Sequence, residues 1–286
     1  MAREIDTKLL QLEAEDGRSL DALLYPGLEE PTVGILHLHG KGGSLLGGPG
    51  RFVPPRWPAV THLSLNMRFH DLAYTRMDLP SPDFTVGQVP VDGGYWETIA
   101  DGHIDVAAGV AALRARGCEH IFLTGHSSGG FYTADYCRRD PEITGRILLS
   151  PLTANRTALP VWFPADADLR AALDEAREFV RRGDPDRLLV LDSWYYAIAA
   201  RSLLERADEP DGVWLEAMNQ SNAPVLFLWG GLESRDTHWR EQFEALTSPH
   251  KQTVVIPGME HNFVGFEQEV TDAIQGFVNE VVNEHP

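Results

Sequence analysis

"IFLTGHSSGG", residues 121–130, runs from a strand-like apolar stretch straight into a cluster of glycine and serine with a histidine inside it. Within it, Gly125-His126-Ser127-Ser128-Gly129 fits G-x-S-x-G. In that pattern a strained strand-to-helix turn lifts a serine hydroxyl above a sheet, and the glycines allow close backbone approach. Five residues alone are a weak signal, because glycine and serine are common. The context supplies what the motif demands: an apolar strand before it and a helix-compatible "FYTADYCRR" (131–139) after it. The plainer alternative is a strand-to-helix turn in which the serine only caps the helix.

Working outward, strand patterns fall at 8–14, 19–26, 32–39, 59–66, 120–126, 145–151, 224–230 and 252–257. The first two alternate, as half-exposed antiparallel strands do; most later ones are near-continuous apolar runs, as in a parallel sheet covered on both faces. Helical patterns lie between the later strands. Ile99, His103, Val106, Val110 and Leu113 share one face, and Gly117 stops that helix. Val270, Ile274, Phe277, Val278 and Val281 do the same near the C-terminus. Strands alternating with helices predict a doubly wound, mostly parallel α/β sheet. The alternation fails at 153–222, where "DLRAALDEAREFVRRG" and "SWYYAIAARSLLER" read as helices of an insertion over the sheet's carboxyl end. A second irregular stretch, 67–95, is too long for an ordinary turn and is expected to wall the same site.

A hydrolytic serine needs a base, an acid that orients it and donors for the oxyanion, and in this topology the order is serine, acid, histidine. Of the 11 histidines, His238, His250, His261 and His285 follow the acid's expected position. His261, in "VVIPGMEHNF", is the one placed between the last strand and the last helix. For the acid, "PVLFLWGGLESRD" offers Glu233 and Asp236. For the oxyanion, "HLHGKGGS" after the third strand offers the amide of Lys41, to be joined by that of Ser128. The Lys41 side chain need not take part, though a positive charge at the rim would attract acidic substrates.

On "HLHG", "GHSSGG", "WGGLE" and "GMEHNF", in that order and each after a strand, the chain resembles the α/β-hydrolase superfamily of serine esterases. The resemblance implies an eight-stranded, mostly parallel sheet with helices on both faces, formed by 1–152 and 223–286, and a helical cap at 153–222. It also implies Ser127 as nucleophile, His261 as base, and Glu233, three residues past Gly230, at the usual acid position. The family more often has Asp there, which keeps Asp236 in contention. "LNMRFHD" (65–71) resembles the family's Arg-Gly-His-Gly stretch but carries Phe69 in place of the glycine, and 40–59 is rich in Gly and Pro where the first helix is expected. With "FLTGHSSGG", the same stretch is similar to a branch of intracellular esterases that includes siderophore-ester hydrolases.

Composition limits the alternatives. A formal charge of −18 disfavours nucleic acid and anionic membranes as partners. No run approaches the roughly 18 apolar residues of a membrane span, and the first residues lack a secretory h-region, so a soluble, cytoplasmic protein is expected. Cys118 and Cys137 have neither redox nor zinc spacing. His37 and His39 share a strand face without a third ligand, and "GKGGSLLGG" lacks phosphate-loop spacing, so neither a metal nor another cofactor is expected. Trp162, Trp194 and Tyr195 in the insertion are candidate substrate contacts or lid core. The expected function is cofactor-independent hydrolysis of a small-molecule ester, lactone or thioester. Acyl transfer, C–C bond hydrolysis and non-catalytic ligand binding are the alternatives, since a fold alone does not fix chemistry.

Overall fold

The computed structural model describes residues 4–75, 91–151, 159, 166–190, 197–208, 213–233, 243–248 and 250–284. In chain order the elements begin with β1 (Lys8–Glu13), β2 (Ser19–Tyr25), β3 (Glu30–Leu38), α1 (Pro49–Arg56), β4 (Val60–Leu65), β5 (Tyr74–Thr75) and β6 (Val91–Asp92). Next come α2 (Ile99–Arg114), β7 (His120–His126), α3 (Ser128–Cys137), β8 (Gly145–Leu149), α4 (Asp166–Arg181), β9 (Leu188–Val190) and β10 (Ala197–Ala199). The chain ends with α5 (Ala200–Asp208), α6 (Val213–Asn219), β11 (Val225–Gly230), β12 (Lys251–Ile256) and α7 (Glu267–Glu284). Eight strands form one sheet in the order β1-β2-β4-β3-β7-β8-β11-β12. The pairs β1–β2 and β2–β4 are antiparallel, and every pairing from β4 through β12 is parallel. This is the eight-stranded, mostly parallel sheet that the resemblance implies.

The apolar runs are continuous because both faces are covered. Along β11, Val225, Phe227 and Trp229 enter one core with Val106, Val110 and Leu113 of α2 and Phe131 of α3. Leu226 and Leu228, pointing the other way, join Phe52 and Val53 of α1 and Ile274 and Phe277 of α7. Strand periodicity of two thus feeds two separate helical layers. Parallel pairing also brings the ends of β3, β7, β11 and β12 to one edge, where the loops that follow them meet.

Two local readings are corrected. The Gly- and Pro-rich stretch 40–59 does contain a helix, α1, with Pro49 in its first turn and Pro54 and Pro55 inside. Pro54 has no N–H for the Gly50 carbonyl, and the Ser64 hydroxyl of β4 donates to that carbonyl instead, at 2.9 Å. Buried Phe52, Val53 and Trp57 hold the short helix against the sheet. In the second correction, "AIA" (197–199) is a strand paired with β9, not the start of a helix. Its residues are too few for periodicity to separate the two states. Phe69, which stands where the family has glycine, is buried; its neighbour Arg68 donates from Nε and Nη2 to Asp105 Oδ1 of α2 at 2.9 and 2.7 Å. "LNMRFHD" is therefore anchored inward at these two residues.

Between β8 and β11, Ala176 of α4, Leu189, Ile198 and Leu203 of α5 form an apolar cluster of their own, against which Leu72 packs. Among the described residues no helix is long and apolar enough to cross a membrane. Cys118 and Cys137 are free and buried.

Candidate active site

β7 is buried up to His126, and the chain then turns into α3 at Ser127, whose backbone sits at φ 54°, ψ −121°. A positive φ is unfavourable for a residue with a Cβ, and such strain persists only where neighbours enforce it. The glycines around it show the enforcement. A Cβ on Gly125 would lie 2.2 Å from the Gly129 carbonyl oxygen, and one on Gly129 would lie 2.7 Å from the oxygen of Leu38. Strand end, helix start and the end of β3 are thus packed backbone to backbone. Ser127 donates its amide to Leu149 O at 3.1 Å, and its carbonyl receives the Gly130 amide at 3.0 Å.

Glu233 follows β11 by a tight turn in which its amide donates to Gly230 O at 3.2 Å. The carboxylate folds back over that turn. Oε1 accepts from the Gly230 amide at 2.8 Å and from the Ser150 hydroxyl at 2.5 Å. Oε2 faces His261 Nδ1 at 3.1 Å. Burial alone would raise the carboxyl's pKa, but hydrogen bonds from His261, Ser150 and the Gly230 amide outweigh it and hold the group below its ordinary range. Gly230 is required here as well, because a Cβ would stand 2.4 Å from the Met259 carbonyl oxygen. The loops after β11 and β12 are joined by Gly231 N to Ile256 O at 2.8 Å and Leu232 N to Met259 O at 3.0 Å.

His126 supports the histidine loop from below. Its Nε2 lies 3.0 Å from the His261 carbonyl oxygen, which can only accept, so Nε2 carries the proton. Burial, then repulsion from His261, pulls its pKa down to about 3 and keeps the ring neutral. Its ring centroid lies 4.7 Å from that of buried Phe263.

The third loop follows β3. His39 donates from Nδ1 to Gly40 O at 2.8 Å, and its Nε2 accepts the Met67 amide at 3.1 Å. Gly40 lies against the serine: a Cβ there would be 2.9 Å from Ser127 Cβ and 3.5 Å from Ser127 Oγ. The expectation for the Lys41 side chain is corrected. It does not stand at the rim but is 2% exposed, with Nζ 2.6 Å from Gly94 O and 3.1 Å from Glu97 Oε2. Burial, opposed by Glu97 and reinforced by Arg206, pulls its pKa down to about 8. An ammonium buried on a carboxylate exerts little attraction on molecules outside.

The structure therefore pairs His261 with Glu233, sets Gly40 against Ser127, and links the serine turn to the histidine loop through His126, the residue before Ser127, and the His261 carbonyl. Asp236, Trp162, Trp194 and Tyr195 lie outside the described residues. Sequence reading missed Ser150, His126 and Glu97. Ser150 carried a faint signal, a serine directly after the apolar run of β8; the structure places it at φ 42°. His37 turns into the core, bonded through Nε2 to His62 Nδ1 at 3.0 Å.

Among solved structures, the fold is similar to that of Est1E from Butyrivibrio proteoclasticus, with a TM-score of 0.68 and 18% identity over 96% of this chain and 99% of that one. A highly thermostable carboxyl esterase from Bacillus coagulans gives 0.65 and 13%, covering 98% of this chain and 100% of the other. The α/β-hydrolase GrgF from Penicillium sp. sh18 gives 0.72 and 13%, over 96% and 99%. No curated protein matches the sequence. A family model described as the alpha/beta hydrolase family matches residues 35–273, which span β3 through the first turns of α7 and include all three loops of the site. By that match, on this sheet, the chain belongs to the α/β-hydrolase family.

Proposed function

We propose that the protein is a cofactor-independent serine hydrolase that cleaves a carboxylic ester, lactone or thioester through an acyl-enzyme. Ser127 Oγ adds to the substrate carbonyl while its proton passes to His261 Nε2. Glu233 holds the opposite nitrogen, Nδ1, in its protonated form and stabilises the imidazolium. The amides of Lys41 and Ser128 receive the carbonyl oxygen as it becomes an oxyanion. Collapse of the tetrahedral adduct expels the alcohol or thiol, which takes the proton from His261. Water then repeats the sequence on the acyl-enzyme and releases the carboxylic acid. The observation that carries this reading is the 3.1 Å approach of Glu233 to His261, in a chain whose G-x-S-x-G turn holds its serine at positive φ. Likeness to a carboxyl esterase supports the choice of ester chemistry.

Residues 153–222 serve, in this reading, as a cap over a core formed by 1–152 and 223–286. The separate apolar cluster between β8 and β11 supports that division. Rapid-mixing kinetics with a p-nitrophenyl ester test the reaction. A burst of one p-nitrophenol per enzyme, absent from Ser127→Ala, is expected; the same burst in that variant would transfer the nucleophile's role to another residue.

A further inference from the structure

Glu97 stands in the short segment between β6 and α2, outside any catalytic motif, yet its buried carboxylate gathers three donors from three parts of the chain. Oε2 faces Lys41 Nζ at 3.1 Å and also receives Nη2 of Arg206 from α5. Oε1 accepts the Tyr132 hydroxyl of α3 at 3.0 Å. The side chains of Lys41, Glu97 and Arg206 are 2%, 2% and 7% exposed. Burying such charges carries a large desolvation cost, and deleting one partner leaves another charge stranded.

The three donors share a location. Lys41 follows Gly40, the residue packed on Ser127, and supplies an amide of the oxyanion site in the reading above. Tyr132 lies in the helix that starts at Ser128, whose amide is the other donor. Arg206 belongs to α5, between β8 and β11, and that helix is seated on the same segment by further bonds. Glu205 accepts the Ile99 amide at 2.7 Å and the Ala100 amide at 3.1 Å, while Trp96 Nε1 donates to Asp186 O at 3.0 Å. One carboxylate thus ties both oxyanion backbones to the insertion.

We propose that Glu97 is a positioning residue: by clamping Lys41, Tyr132 and Arg206 together it fixes the spacing of the two oxyanion amides and makes that spacing depend on the docked insertion. The proposal rests on the hydrolytic reading above and adds a residue to it. Glu97 acts through Lys41 and Tyr132, to which its carboxylate is bonded. Its effect falls on the transition state, where the amides meet developing charge, and not on ground-state binding.

The test uses the whole chain, a p-nitrophenyl ester, and a trifluoromethyl ketone whose adduct with Ser127 carries an oxyanion. Glu97→Gln keeps the shape and removes the charge. It is expected to lower kcat by about ten- to a hundredfold, the scale of a displaced donor, with KM within about twofold. Affinity for the ketone should fall in proportion to kcat/KM. Arg206→Met, remote from Ser127 in sequence, should act in the same direction, and the double variant should be no slower than the slower single one, because both break one clamp. If Glu97→Gln does not fold, Arg206→Met and Tyr132→Phe decide, since the latter removes a single hydroxyl. Unchanged kcat and ketone affinity in the folded variants, an effect confined to KM, or losses that multiply in the double variant would overturn the proposal. A wild-type burst at Ser127 alongside any of those results would leave hydrolysis standing and remove the role of Glu97; no burst in the wild type would remove both.

Discussion

The Glu233 carboxylate divides its two oxygens between His261 and the turn beneath it: Oε2 lies 3.1 Å from His261 Nδ1, while Oε1 is held by Ser150 Oγ at 2.5 Å and the Gly230 amide at 2.8 Å. A glutamate has one more rotatable bond than the aspartate usual in this position. The two bonds to Oε1 remove that freedom.

Glu233→Gln is therefore expected to lower kcat by about 10⁴-fold, the scale seen when a triad acid loses its charge. Ser150→Ala, which loosens the carboxylate without removing it, should cost about tenfold, comparable to one hydrogen bond to a charged group. Asp236→Asn should change rate little. Steady-state kinetics of the three variants on one ester check the order. A larger loss from Asp236→Asn than from Glu233→Gln would give the acid's role to Asp236.

How much of this was legible in the sequence follows from the range of the forces involved. "GHSSGG" could be read because its nearest constraint is short-range: the close backbone approach of Gly125 to Gly129, which leaves no room for a Cβ, is set within five residues of chain. The strands could be read because burial on both faces writes an unbroken apolar run. The fate of the Lys41 charge could not, since its partner Glu97 is 56 residues away in sequence and burial is a tertiary property. The helix at Pro49–Arg56 was hidden for a similar reason: local propensity argues against it, and the Ser64 hydroxyl that completes it comes from a strand.

Buried neutral histidines give the fold an acid limit. His62 donates from Nε2 to Trp57 O at 2.8 Å and accepts from His37 Nε2, and both are buried. Burial pulls His62 down to about 4 and His126 to about 3, and places His37 well below its ordinary 6.5. Below pH 6.5 the unfolded chain binds protons that the folded chain refuses. Their contribution to stability is therefore complete above about pH 6.5 and is lost progressively as pH falls toward 4 for His62 and 3 for His126. Each histidine adds about 1.4 kcal/mol per pH unit to the slope in that window. Denaturant unfolding of His62→Gln between pH 6.5 and 4 should show a slope shallower by about one such step. An unchanged slope would mean that His62 is already charged in the folded protein.

Arg146 of β8 is fully buried, and its two Nη groups donate to carbonyls of the chain entering β11: Met218 at 3.1 Å, Ser221 at 3.2 Å and Ala223 at 2.5 Å. Arg146→Met should destabilise the fold by about 2–4 kcal/mol, because it strands two buried acceptors and a third that is partly buried. Arg146→Lys should recover little of it, since a compact ammonium lacks the guanidinium's spread of donors. Thermal or denaturant unfolding measures both. Stability equal to wild type in Arg146→Met would show that the loop finds other donors.

The most direct measurement of the central claim is intact-mass and peptide-level mass spectrometry after treatment with a fluorophosphonate, which phosphonylates an activated serine with loss of fluoride. The account predicts one adduct per chain, located at Ser127, formed slowly in Glu233→Gln and absent from Ser127→Ala. Adduct formation at another residue, at wild-type rate in Ser127→Ala, would contradict it.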